Sequence, residues 1–432
     1  MSAAEQEISR ALEAVKTFDP HCHLRVWKPS ADNLADILQY HHVWIELVSS
    51  GMGQQDVAQT GLPQELADPQ IPPLERARRI VAYLPNIANT TLGLFLRWIL
   101  RDLYSIDRLT LANFDEVWAL VETRAKDAGW IDELLRVRCG IEASISVEEQ
   151  GTPYSPRLLK AREVYATNLI SGKLSPQHVL AGWERVFGRE IRDAQDYVEF
   201  LRVVVDSMSS ECRFIGLWVL PHLSGEPPLE GSVTAVLRKV RDGQLLEPAE
   251  IGAFCTFGLV RLLEVLRKTP IRLIQVIVGA EVLPPHRSIT QWDSAFPGAM
   301  ARLASRFEEF HFSLSSASDI HTQDVGVLAK HLPNISVAGY WWHTLYPFYL
   351  KKSLETRLDM VPINKIVAYF SDAYHAEWCY PKLKMIKQVL GEIIQERLAR
   401  GWYDMDTALR IIQQVFYDNP KAIYFTPPRA SG

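Results

Sequence analysis

The chain is poor in cysteine: among 432 residues only Cys22, Cys139, Cys212, Cys255 and Cys379 occur, far apart and without CxxC spacing. An odd number of scattered thiols cannot pair completely within one chain, which fits a reducing compartment and makes a cytoplasmic location the expectation. Basic blocks are also missing, and the formal net charge is −5. That leaves no electrostatic footprint for a polyphosphate, so nucleic acid is not expected as a partner. No segment runs to about 18 uncharged apolar residues, the length a membrane span needs, so no membrane association is expected. The opening "MSAAEQEISRALEAVKTF" lacks the basic start and apolar stretch of a secretory signal and reads as an amphipathic helix. Glycine-rich phosphate loops of the GxGxxG or GxxxxGK[ST] type follow none of the strand-like runs, which argues against an open doubly wound nucleotide-binding sheet.

What is present is an ordinary globular composition, 47% apolar and 22% charged, at a length suited to one large α/β barrel or two smaller domains. Seven short β-rich runs stand out: "TFDPHCHL", "VRCGIEAS", "RFIGLWVL", "RLIQVIVGA", "FHFSLSS", "ISVAGYWW" and "KIVAYFSD". Helix-length amphipathic stretches such as "DAQDYVEFLRVVVDSM" and "EIGAFCTFGLVRLLEVLRKT" separate most of them, and strand alternating with helix implies a parallel sheet. One further strand near "EVYATNL" would close eight. Between the first two runs, "PLERARRIVAYLPNIANTTLGLFLRWILRDLY" and "FDEVWALVETRAKDAGWIDELLRV" repeat apolar residues every three to four positions, with Ser30 or Asp32 as candidate cap at the start. The fold class expected is α/β: a distorted (β/α)8 TIM-type barrel from residues 1–30 and 136–432, with a helical insertion subdomain at 31–135 after the first strand.

Three residues could meet in such a barrel. Side chains two apart in a strand share a face, so His21 and His23 point one way and Cys22 the other. Asp372 ends the last strand, which in a closed barrel neighbours the first. Two imidazoles and a carboxylate at the C-terminal mouth suit zinc or another divalent ion and leave positions open for water or substrate. HxH alone is a weak signal, and on the residues alone a second reading stands beside it: satisfied polar groups at strand ends.

"FDPHCHL" followed by "NLADILQYHHVWIEL", then "GYWW", "FSD" and "DNPKAIYF", resembles the uronate isomerase family of the amidohydrolase superfamily. Both ends of the chain carry the likeness, including the interval from Trp341 to Asp372; the middle, about residues 140 to 330, matches only in its rhythm of strands and helices. The resemblance implies one divalent metal, zinc with manganese or iron as alternatives, held by His21, His23 and Asp372. It also implies aldose–ketose isomerisation of glucuronate, galacturonate or a related sugar acid, in a homo-oligomer. Asp372 would then be both ligand and proton carrier, with Trp341 at the mouth.

Departures from the family pattern fall on the substrate side. Where the family has His-Tyr this chain has His41 and His42; Tyr374 stands where an arginine is usual; "SLSSASD" has no arginine; Ile277 replaces a strand-five histidine. His42 is the candidate acid or base in place of the missing phenol, and His41, Trp341 and Tyr374 are candidate substrate contacts. Loss of arginines keeps two alternatives open, a superfamily hydrolase or lyase acting on another small molecule, and a barrel without catalysis. His375 and Glu377 could line the site, but a loop position facing water is the favoured reading; His343, His222, and the His286–Arg287 pair are weaker candidates, and most of the twelve tryptophans fall on apolar helix faces and read as packing.

Overall fold

The computed structural model describes residues 2–53, 71–147, 151–163, 175–208, 212–218, 223, 226–283 and 287–426. Eight parallel strands form a barrel: β1 (Thr17–Cys22), β2 (Ile141–Ser146), β3 (Leu158–Lys160, continued by Arg162–Glu163), β4 (Ile215–Trp218), β5 (Leu273–Val278), β6 (His311–Ser316), β7 (Ile335–Ala338) and β8 (Ile366–Val367). Each pairs in parallel with the next from β1 to β8, the two pieces of β3 serving β2 and β4. The ring closes just beyond β8, where the Asp372 amide donates to the His21 carbonyl at 3.0 Å and the His23 amide to that of Ala373 at 2.9 Å. The strand expected near "EVYATNL" is β3, which ends on the first residue of that stretch; residues 164–169 lie outside the described residues.

All six residues of β5 are buried, as an internal parallel strand covered on both sides requires. Alternate side chains fill the barrel in layers. Leu273 belongs to a floor layer with Ile145, Ala161, Phe214, Ala338, Val367 and Tyr424, and Ile277 to an upper layer with Ala280, Ala317, Trp341 and Phe370. Gln275 lies between them in sequence and on the same face, hydrogen-bonded to His21. β1 contains Pro20, which has no amide to give a ladder; there the register against β2 advances three residues, Asp19 to Cys22, while β2 advances two, Ser144 to Ser146.

Between β1 and β2 the described elements are all helical. Helix Leu34–Leu38 is capped by Asn33, whose side chain accepts from the Ala35 amide. Asp32, expected as a cap with Ser30, instead pairs with Arg25 and Lys28, so the helix begins one residue later than that reading allowed. Buried Glu377, just past the last strand, ties this segment to the barrel by accepting from the Ala31 amide at 3.0 Å and from Tyr104 Oη and Trp130 Nε1 at 3.2 Å each. All five cysteines are free thiols, and no helix among the described residues is long and apolar enough to cross a membrane.

Candidate metal centre

The strand-end geometry delivers His21, His23 and Asp372 to one point. Cys22 turns away, its thiol donating to the Ile145 carbonyl. His21 Nε2 lies 3.5 Å and His23 Nε2 3.3 Å from Asp372 Oδ1, and the three candidate ligand atoms are all within 4.8 Å of one another. Two ligands at zinc-like distances in a tetrahedron stand about 3.3 Å apart, close to the two edges that meet at Asp372. His21 and Asp372 are buried, 1% and 4% exposed, while His23 opens towards the mouth.

Each ligand is oriented by a contact behind it. His21 Nδ1 is 2.6 Å from Gln275 Oε1; the amide oxygen can only accept, so Nδ1 donates to it and Nε2 faces the centre. His23 stacks on Tyr374, ring centres 4.6 Å apart and planes within 5°. Asp372 takes a left-handed backbone conformation, φ +48°, uncommon for a residue with a side chain. Burial alone would push its carboxyl up, but hydrogen bonds from His21 and His23 and the charge of Lys382 hold it well below the usual carboxylate range. The charged form is thereby favoured.

Lys382 sustains that turn. Its buried ammonium donates to Tyr40 Oη at 2.7 Å, to the Asp372 carbonyl at 3.3 Å and to the Ser371 carbonyl, while Tyr40 Oη donates to the Asp372 carbonyl at 3.0 Å. Burial lowers the Lys382 pKa, opposed by the Asp372 charge. Asp19, wholly buried, accepts from the Ser371 amide at 2.8 Å and Ser371 Oγ at 2.6 Å, joining β1 to the end of β8. Burial pushes its carboxyl up to about 6 against those bonds.

The other expected residues sort by place. His41 meets Tyr374 edge-on at 5.2 Å and His42 at 3.9 Å, which brings both histidines to the rim beside His23. Burial lowers His41 well below its ordinary value and His42 to about 3, so both are neutral imidazoles. His41 Nδ1 has no hydrogen-bond partner among the described residues. Trp341 is 6% exposed and packs with Phe370, whose ring lies 5.3 Å from that of His21. His375 and Glu377, read as facing water, are 2% and 0% exposed: desolvation, not solvation, governs them, and His375 is pushed down to about 3. His343 is half-buried. His222 and His286 lie outside the described residues.

Sequence reasoning missed Gln275, Lys382 and Tyr40. The signals were there: a lone amide inside the apolar "LIQVIV", and a lysine on the stripe of Cys379, Leu383 and Ile386 that the helix Cys379–Ala399 buries. A polar residue on a core face needs a partner, and these partners are the backbone and imidazole of the centre.

No family model matches the chain. A uronate isomerase of Thermotoga petrophila is 25% identical over 105 residues, so the aligned stretch spans 24% of this chain and 23% of that relative. Along the whole length the likeness is one of fold. The crystal structure of a uronate isomerase from Thermotoga maritima superposes with a TM-score of 0.79 at 15% identity, covering 98% of each chain. A glucuronate isomerase from Caulobacter crescentus gives 0.81 at 14% identity, covering 99% of this chain and 95% of the other. A putative metal-dependent hydrolase from Lactobacillus casei gives 0.61 at 13% identity, over 97% of both. The chain thus has the fold of uronate isomerases, as the terminal motifs led one to expect, in a divergent sequence.

Proposed function

We propose that the protein is a uronate isomerase-like, metal-dependent aldose–ketose isomerase acting on glucuronate, galacturonate or a related sugar acid. The observation that carries this reading is the convergence of His21, His23 and Asp372 at the C-terminal mouth, in a fold shared with uronate isomerases from end to end. The two-nitrogen, one-oxygen donor set suits zinc. When bound, such an ion polarises a carbonyl and its neighbouring hydroxyl, which acidifies the adjacent C–H bond.

The chain's own groups then have defined tasks. Isomerisation moves one proton from the hydroxyl-bearing carbon to the former carbonyl carbon and a second from the hydroxyl oxygen to the former carbonyl oxygen, and needs no external oxidant or reductant. Asp372, anionic and in contact with both imidazoles, is the carboxylate placed to carry that proton. His42, neutral because burial holds its pKa near 3, exchanges protons with a sugar hydroxyl as a weak acid or base. His41 and Tyr374 form the rim against which the sugar lies, and Trp341 with Phe370 closes the apolar side. Residues 31–135 are read as a helical insertion subdomain, its described elements all helical, and the free thiols are consistent with a cytoplasmic protein.

A second reading, a superfamily hydrolase or lyase on another small molecule, is favoured by Tyr374 at the rim and by the fold likeness to a putative metal-dependent hydrolase. One experiment separates them: the zinc-loaded protein is incubated with glucuronate and with galacturonate and followed by NMR. Appearance of the ketose is expected. No turnover of either acid by fully metallated protein rejects the isomerase reading.

A further inference from the structure

The face of the barrel opposite the candidate metal centre carries a cavity of about 1000 Å3. It lies where strands begin: Leu158 opens β3, Leu273 opens β5, His311 opens β6, and all three line it. Arg162 pairs with Ile215 and Ile215 with Ile274, so two residues earlier Lys160, Arg213 and Arg272 stand side by side at the starts of neighbouring strands. The Arg213 amide donates to the Lys160 carbonyl at 3.1 Å, as that register requires. All three residues are half-buried and line the cavity.

Three like charges in a row repel one another, and no carboxylate stands among the described residues that line the cavity with them. Lys160 Nζ donates to the Gly151 carbonyl at 2.8 Å, and Arg272 donates from Nη1 to the Thr269 carbonyl at 2.6 Å and from Nη2 to the Arg267 carbonyl at 3.3 Å. Carbonyl oxygens hold these groups in place without cancelling their charge. The Arg213 guanidinium has no side-chain partner among the described residues. His311 adds no charge, because burial and the charge of Lys365 push its pKa down to about 4. Around the cations, Pro156, Leu158, Ile271 and Ile423 offer apolar surface. A guanidinium fork matches phosphate oxygens two at a time, and a phosphate monoester carries nearly two negative charges at neutral pH. The volume suits a small molecule.

We propose that this cavity is a second ligand site, separate from the metal centre, which takes a small organic phosphate: the head on the row Lys160–Arg213–Arg272, the apolar body against the prolines and aliphatic side chains.

The test uses the full chain stripped of metal, so that phosphate has no cation to ligate and the outcome is independent of the isomerase reading. Calorimetric titration with phenyl phosphate is expected to show one site, bound more tightly than inorganic phosphate. Arg213→Ser is expected to weaken phenyl phosphate about tenfold, the loss of one charge-assisted hydrogen-bonded contact. Absence of binding to the wild type, or equal affinity of Arg213→Ser and wild type, overturns the proposal. Inorganic phosphate binding as tightly as phenyl phosphate overturns the organic class of ligand. Should Arg213→Ser not fold, Lys160→Met takes its place with the same expected loss, and unchanged affinity there overturns the proposal equally.

Discussion

Lys382 shows how much one residue can hold in place. A buried ammonium is costly unless its donors are met, and here they are met by two carbonyls at a left-handed turn and by the Tyr40 hydroxyl. The left-handed conformation of Asp372 thereby gains an anchor for both carbonyl oxygens around it. Replacing Lys382 by Met strips those oxygens of a donor while keeping the stem. We expect a loss of about 1–3 kcal/mol in urea unfolding, with weaker Zn2+ binding because Asp372 is released. Unchanged stability would mean that the desolvation of the amine cancels its three bonds. His21, His23 and Asp372 were legible from the sequence because their types and strand-end positions repeat a known chemistry. Lys382 and Gln275 were not, because a polar residue on an apolar stripe announces a partner without saying which.

At the scale of the element, the seam between β1 and β8 decides whether the centre exists. β8 has only two residues in ladder pairing, so the strand order is completed by the backbone bonds of Asp372 and His23 and by the carboxylate of Asp19 on Ser371. Asp19→Ala removes the acceptor from two buried donors. An expected loss of about 2–4 kcal/mol, read by urea unfolding at pH 7, follows from leaving both unsatisfied; an unaltered midpoint would show that the backbone bonds suffice. Strand identity was readable where a run is nearly all apolar, as in "LIQVIV", or alternates, as in "HFSLSS". It was faint for β3, whose two short described pieces are interrupted at Ala161 and lack a sustained β-branched run, while most of the stretch expected to hold it lies outside the described residues. Helix boundaries followed caps, and Asn33 was overlooked because Ser30 and Asp32 have equal capping chemistry on paper; ion pairing of Asp32 with Arg25 and Lys28 settled the competition.

For the whole molecule, pH should act through buried imidazoles. His375 is 2% exposed, and burial pushes its pKa down from 6.5 to about 3. Because the folded value is the lower one, its contribution to stability is intact above pH 6.5 and is lost as pH falls towards 3, where the unfolded chain takes the proton first. Urea unfolding of wild type at pH 7 and pH 4.5 should show that loss, and His375→Asn should flatten it; an identical slope in the variant would assign acid sensitivity elsewhere. The closure of the barrel has a further consequence for biosynthesis. Two of the candidate ligands, His21 and His23, stand at the end of the first strand, but the third, Asp372, follows only beyond the last. Until then β1 lacks its partner on one side, and an open strand edge in a nascent chain invites pairing with other chains. A cation that needs all three candidate ligands therefore has no complete site until β1 and the end of β8 have met.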